Sequence, residues 1–122
     1  MPRTNVILYR EADGRIPLLE WLDSVSPKAK VKCRLRIERL AQLGHEMRRP
    51  EADYLRDGIY ELRVGLQGIN YRMLYFFHGT LAVVVSHGLT KEQAVPATEI
   101  VQAIRRKQEF TLVPARHSQE YR

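Results

Sequence analysis

The sequence predicts an α+β domain in the order β-α-α-β-β-β-α, a small antiparallel-rich sheet with helices packed on one face. Three observations lead there. Residues 27–43 repeat apolar side chains at helical spacing between a Ser-Pro start and a glycine stop. Residues 58–77, GIYELRVGLQGINYRMLYFF, change to β-branched and aromatic residues around a glycine-bearing turn. Residues 81–86, LAVVVS, follow as a short, nearly all-apolar run, as expected of a strand buried on both faces.

Each element has its own local reason. Asn5 to Tyr9 (NVILY) has the composition of a first strand, and Asp13-Gly14 forms a turn. Pro17 suits a first helical position, and Leu18, Leu19, Trp21 and Leu22 continue a short helix to about Asp23. Ser26 caps the second helix and Pro27 opens it; Gly44 stops it after Leu43. At 100° per residue, Ala29, Cys33, Ile37, Leu40 and Ala41 share its buried side. Cys33 therefore reads as a small core residue rather than a nucleophile. Val31 and Leu35 make a smaller apolar stripe among six Lys and Arg residues. That stripe is expected to pack on the first helix, or else to meet a partner protein. Ile59–Val64 and Ile69–Phe77 form a hairpin across residues 65–68, and His78-Gly79 a second tight turn. A last helix starts at Pro96 and runs through Ile100, Val101 and Ile104 to about Gln108. Residues 1–110 are expected to form one domain, with 111–122 a loosely held tail.

At 122 residues with 44% hydrophobic residues, the chain is long enough to bury a core. Twenty Lys and Arg against fourteen Asp and Glu give a net charge of +6, which favours a polyanionic partner. One cysteine allows neither an internal disulfide nor a cysteine-based zinc site. HExxH and CxxC spacings are missing, so no metal is expected. No long apolar run or secretory h-region is present, which predicts a soluble cytoplasmic protein with no membrane partner.

Two arginines stand out because a packing strand has no use for them. Alternation puts Tyr60, Leu62 and Val64 on one face of their strand, and Ile59, Glu61 and Arg63 on the other. In the next strand Tyr71, Met73, Tyr75 and Phe77 oppose Asn70, Arg72, Leu74 and Phe76. With helices over the tyrosine side, Arg63 and Arg72 emerge together on the open face. Two guanidiniums on rigid strands suit a phosphate, since each offers a planar fork of donors. The competing reading pairs each with a carboxylate, and Glu61 is the nearest one.

GIYELR, NYRMLYFF and VVVSHGLTKEQAVPATEIVQAIRR together resemble the RelE/HigB superfamily of type II toxins, above all its phage-derived HigB-like branch. PLLEWLDSV and LAQLG are similar to the same branch, and the resemblance spans roughly Val6 to Lys107. It implies a RelE-like sheet with helices on one face. It also implies a cytoplasmic mRNA endoribonuclease, typically acting on the ribosome, and a cognate antitoxin, expected to carry a helix-turn-helix domain. Arg72 matches the arginine of the YR motif, which lies in the active-site cleft of relatives, and Arg63 the basic position of the preceding strand. After His87 the branch usually carries an aromatic and two adjacent lysines. Here Leu89, Thr90 and Lys91 stand there, so one lysine is missing.

Such RNA cleavage uses the 2′-hydroxyl as nucleophile on the adjacent phosphate. It needs a base, positive charge for the phosphorane, and an acid for the leaving 5′-oxygen, but no metal or other cofactor. His87 suits the proton transfers, with Glu61 as the alternative base. Lys91, Arg63 and Arg72 suit the charge and the RNA contacts. Tyr75 is a further candidate; His45, His78 and His117 read as surface or tail histidines. The alternative is a RelE-fold toxin that acts by binding without cutting, as gyrase-inhibiting toxins do, or a degenerate binder of RNA or ribosome.

Overall fold

The computed structural model describes residues 4–84, 89–90 and 94–121. Strand β1 (Asn5–Tyr9) leads into helices α1 (Pro17–Ser24) and α2 (Pro27–Leu43). Strands β2 (Ala52–Arg56), β3 (Ile59–Leu66), β4 (Ile69–His78), β5 (Leu81–Val84) and β6 (Leu89–Thr90) follow. Helix α3 (Ala97–Leu112), a short 3-10 turn (Pro114–His117) and β7 (Ser118–Glu120) complete the order. The class is α+β, as the sequence predicts. One sheet runs β2-β3-β4-β5-β1-β7, with β6 also bonded to β4. All its pairings are antiparallel except β1 with β5, which is parallel. The apolar run at β5 thus lies inside the sheet, between β4 and β1, although residues 85 and 86 of that run lie outside the described residues.

Helix α2 forms as its end signals dictate. Ser26 Oγ accepts from the Ala29 N–H at 3.2 Å, and the Gly44 N–H returns to the Leu40 carbonyl. Ala29, Cys33, Ile37, Leu40 and Ala41 are its buried residues. They meet Leu62, Tyr71, Met73 and Tyr75 from the sheet, together with Leu18 and Leu22 of α1. Burial pushes the Cys33 thiol up to about 11, consistent with a core residue and not a nucleophile. Val31 and Leu35 do not pack on α1; both are largely exposed. They lie on the solvent side of α2, away from its buried row.

The helices do not all sit on one face. Ile7, Tyr9, Ile59, Leu74 and Phe76 form a second core with Ala103 and Phe110 of α3. These residues have the opposite strand parity to the α2-facing set, so α3 covers the other side of the sheet. The reason lies in β1 and β4, whose apolar residues fall on both parities and require cover on both sides.

The strands also differ in detail from the sequence expectation. The β3–β4 loop is only Gln67-Gly68, both at positive φ, with Leu66 opposite Ile69. That two-residue turn matches the strand twist better than a four-residue one. Asp57-Gly58, also both at positive φ, joins β2 to β3 in the same manner. The C-terminal segment is not a loose tail. Thr111 and Leu112 extend α3, and β7 pairs antiparallel with β1. His117 is buried, stacks on Tyr9 at 5.1 Å, and bonds through Nδ1 to the Arg10 carbonyl at 2.7 Å. Among the described residues no helix is long and apolar enough to cross a membrane.

Candidate functional site

Arg63 and Arg72 are directly opposite each other in the β3–β4 ladder, and so share one face. Like charges at such a pair repel. Glu61 resolves the conflict. It has the same parity as Arg63, is 1% exposed, and its Oε1 accepts from Arg63 Nε at 2.5 Å. The same oxygen lies 3.8 Å from Arg72 Nη1. Asp53, opposite Glu61 on β2, adds a second carboxylate. Its Oδ2 accepts from Arg63 Nη2 at 3.2 Å and pairs with Arg49 Nη2 at 2.9 Å. The hydrogen bond from Arg49, with the attraction of Arg49 and Arg63, holds the Asp53 carboxyl below its ordinary range.

The cluster is therefore three guanidiniums against two carboxylates, with one net positive charge. Its arginines are not equivalent. Arg63 is 38% exposed but engaged on both edges of its fork. Arg72 is 12% exposed, and its buried Nε has no hydrogen-bond partner among the described residues. Arg72 Nη1, at 3.8 Å from Glu61, is beyond hydrogen-bond distance, so the Arg72 guanidinium is less tightly engaged by carboxylates than that of Arg63.

The remaining candidates separate from this pair. Glu61 shares the site, but its burial and its two arginine neighbours make it a support for the guanidiniums, out of reach of a ribose hydroxyl. Tyr75 faces α2 on the opposite side of the sheet, and burial raises its phenol above the ordinary value. His45 stacks on Phe77 and His78 lies edge-on to Phe110. His87 and Lys91 lie outside the described residues. The backbone of Leu89–Thr90 pairs with Tyr71–Arg72.

Arg49 and Asp53 are site members that the sequence reading missed. The available signal was Asp57-Gly58, a hairpin dipeptide between YLR and IYEL. Counting back from that turn makes residues 52–56 a strand and brings Asp53 toward Glu61.

The α+β fold, with three helices and a largely antiparallel sheet, is compatible with a small RelE-like fold. The chain belongs to the family described as Phage derived protein Gp49-like (DUF891), whose model matches residues 20–108. The family is RelE-like and toxin-associated. The matched span holds Arg49, Asp53, Glu61, Arg63 and Arg72, as well as His87 and Lys91. No curated protein matches the chain.

Proposed function

We propose that the protein is the toxin of a type II toxin–antitoxin pair, of HigB-like type, and a metal-independent endoribonuclease that cleaves mRNA on the ribosome. The observation that carries this reading is the Arg63–Arg72 pair fixed across two strands, with Arg72 the less tightly engaged of the two. Membership of a toxin-associated family supports it. Arg72 binds the scissile phosphate and stabilises charge on the phosphorane. Arg63, held by Glu61 and Asp53, adds field strength without needing to reorganise. His87 takes the 2′-hydroxyl proton as that oxygen bonds to phosphorus, and in its protonated form gives a proton to the 5′-oxygen as the P–O5′ bond breaks, while Lys91 adds a further cation.

A binding-only mode is the second reading. It is favoured by the two carboxylates that engage Arg63 and by Thr90 standing where relatives carry a lysine. Mapping the 5′ ends of cellular mRNAs after brief expression separates the two. New ends that accumulate inside coding regions are the expected result. Growth arrest with intact messages would instead support the binding mode.

The cognate antitoxin, a helix-turn-helix protein in this proposal, neutralises a basic surface. Exposed Val31 and Leu35, with Lys28 and Lys32 beside them, offer an apolar stripe rimmed by positive charge. Association should be steered by charge, so its rate should fall as salt rises. Stopped-flow association at two ionic strengths reads this directly, and an unchanged rate would rule out steering.

A further inference from the structure

We propose that the concavity beside edge strand β2 is a stacking subsite for an unpaired base of single-stranded RNA, on the flank of the arginine cluster. The ligand follows from the RNA-cleaving reading above; the site itself follows from the aromatic and cationic groups that line it. The cavity measures about 520 Å³, and His45, Arg48, Arg49, Asp53, Tyr54 and Tyr60 are among its walls.

Tyr54 is 52% exposed, although tyrosine is a costly ring to leave in water. It is also held still. Its hydroxyl accepts from the Gly58 N–H at 3.1 Å, and its ring meets Tyr60 edge-on at 5.0 Å. Tyr60 in turn stacks on buried Tyr75 at 5.3 Å. His45, the second exposed ring, stacks on Phe77 at 3.7 Å. Two exposed rings are thus anchored through their neighbours to the α2-side core, which gives preorganised π-faces. Capping the β2–β3 turn explains the Tyr54 hydroxyl but not its exposed ring.

Cations complete the recognition chemistry. Arg48 bridges the carbonyls of His45 and Met47 at 2.6 and 3.0 Å, which fixes its charge at the rim. Arg49 lines the cavity and pairs with Asp53, the carboxylate that also holds Arg63. Asp53 and Tyr54 are adjacent on β2 and point to opposite faces, so Arg49 links the two sides around the sheet edge. A backbone that leaves the arginine cluster over β2 meets Arg49 and then the rings. Exposed aromatics interleaved with arginines suit single strands, whose bases are free to stack, and not a duplex.

The test is fluorescence-anisotropy binding of an uncleavable, 2′-deoxy-substituted single strand of about eight nucleotides, with a duplex of equal length as control. Tyr54→Leu should weaken single-strand binding about tenfold and leave duplex binding unchanged. Tyr54→Phe, which keeps the ring but loses its bond to the Gly58 N–H, should bind more tightly than Tyr54→Leu. Arg49→Gln should lower the salt slope by about one. Wild-type single-strand affinity in Tyr54→Leu, or equal loss with Tyr54→Phe, overturns the subsite. Arg72→Ala, measured alongside, keeps the two readings apart. If it loses binding and cleavage while Tyr54→Leu loses neither, only the subsite falls. If it loses neither while Tyr54→Leu weakens the single strand, the subsite stands and the phosphate assignment falls.

Discussion

Glu61 carries an unusual burden for one side chain. It is an almost fully buried carboxylate whose neighbours are two opposed arginines, and removing its charge leaves those arginines facing each other. Glu61→Gln should therefore cost about 3 kcal/mol, the low end of the range for breaking a buried pair, because Arg63 still reaches water. Urea unfolding of the two proteins measures this, and equal midpoints would show that Glu61 is not the support described. Asp53 gives a pH-dependent counterpart. Its folded carboxyl lies below the ordinary 3.8. Its contribution is therefore present above that value and is lost as pH falls through the lower, folded value. Stability should drop on the acid side of about pH 4, and less steeply in Asp53→Asn than in the wild type. Urea midpoints at a series of pH values, with parallel acid limbs as the contrary result, check the sign. At this scale the shared face of Arg63 and Arg72 was legible in the sequence, because strand parity is strict. The partners of Arg63 were legible only in part. Glu61 is two residues away on the same strand, whereas Asp53 and Arg49 arrive through a pairing that the period of β3 alone does not show.

Elements were legible in proportion to their local signals. Helix α2 and the β3–β4 hairpin have long periodic patterns with caps or turn residues, and their bounds follow closely. Strands β2, β6 and β7 are five, two and three residues long, too short for a periodic signal. Strand β7 exists because β1 offers an edge, as Ile7 opposite Glu120 shows. The face covered by α3 had a signal that was not used: Leu74 and Phe76 share the parity of Arg72, and apolar residues there need a cover. Two predictions belong to this scale. His117→Ala removes a stacked ring and a bond to the Arg10 carbonyl, and should cost about 2 kcal/mol, near the upper part of the ordinary range. A thermal midpoint equal to the wild type would mean that the C-terminal segment is held by β7 alone. Gly44 ends α2 at φ 54°, where a Cβ would collide with the Thr4 side chain. Gly44→Ala should thus lose at least about 1 kcal/mol, seen as a lower urea midpoint.

On the scale of the whole molecule, a basic chain of +6 places two strand-borne arginines on the α3 face of the sheet, outside the core that α3 covers. Core and site are built from the same strands: β3 and β4 bury Leu62, Met73 and Tyr75 on one side and hold Arg63 and Arg72 on the other. That arrangement allows the arginines to be changed without opening the α2-side core. The most direct test is cleavage of a ribosome-bound message by folded Arg72→Ala, with circular dichroism as the check on folding. The account predicts a loss of about a hundred- to thousandfold in rate, the effect of about 2.7–4 kcal/mol at one preorganised charge, and the loss of growth arrest. Cleavage at the wild-type rate by the folded variant would contradict it.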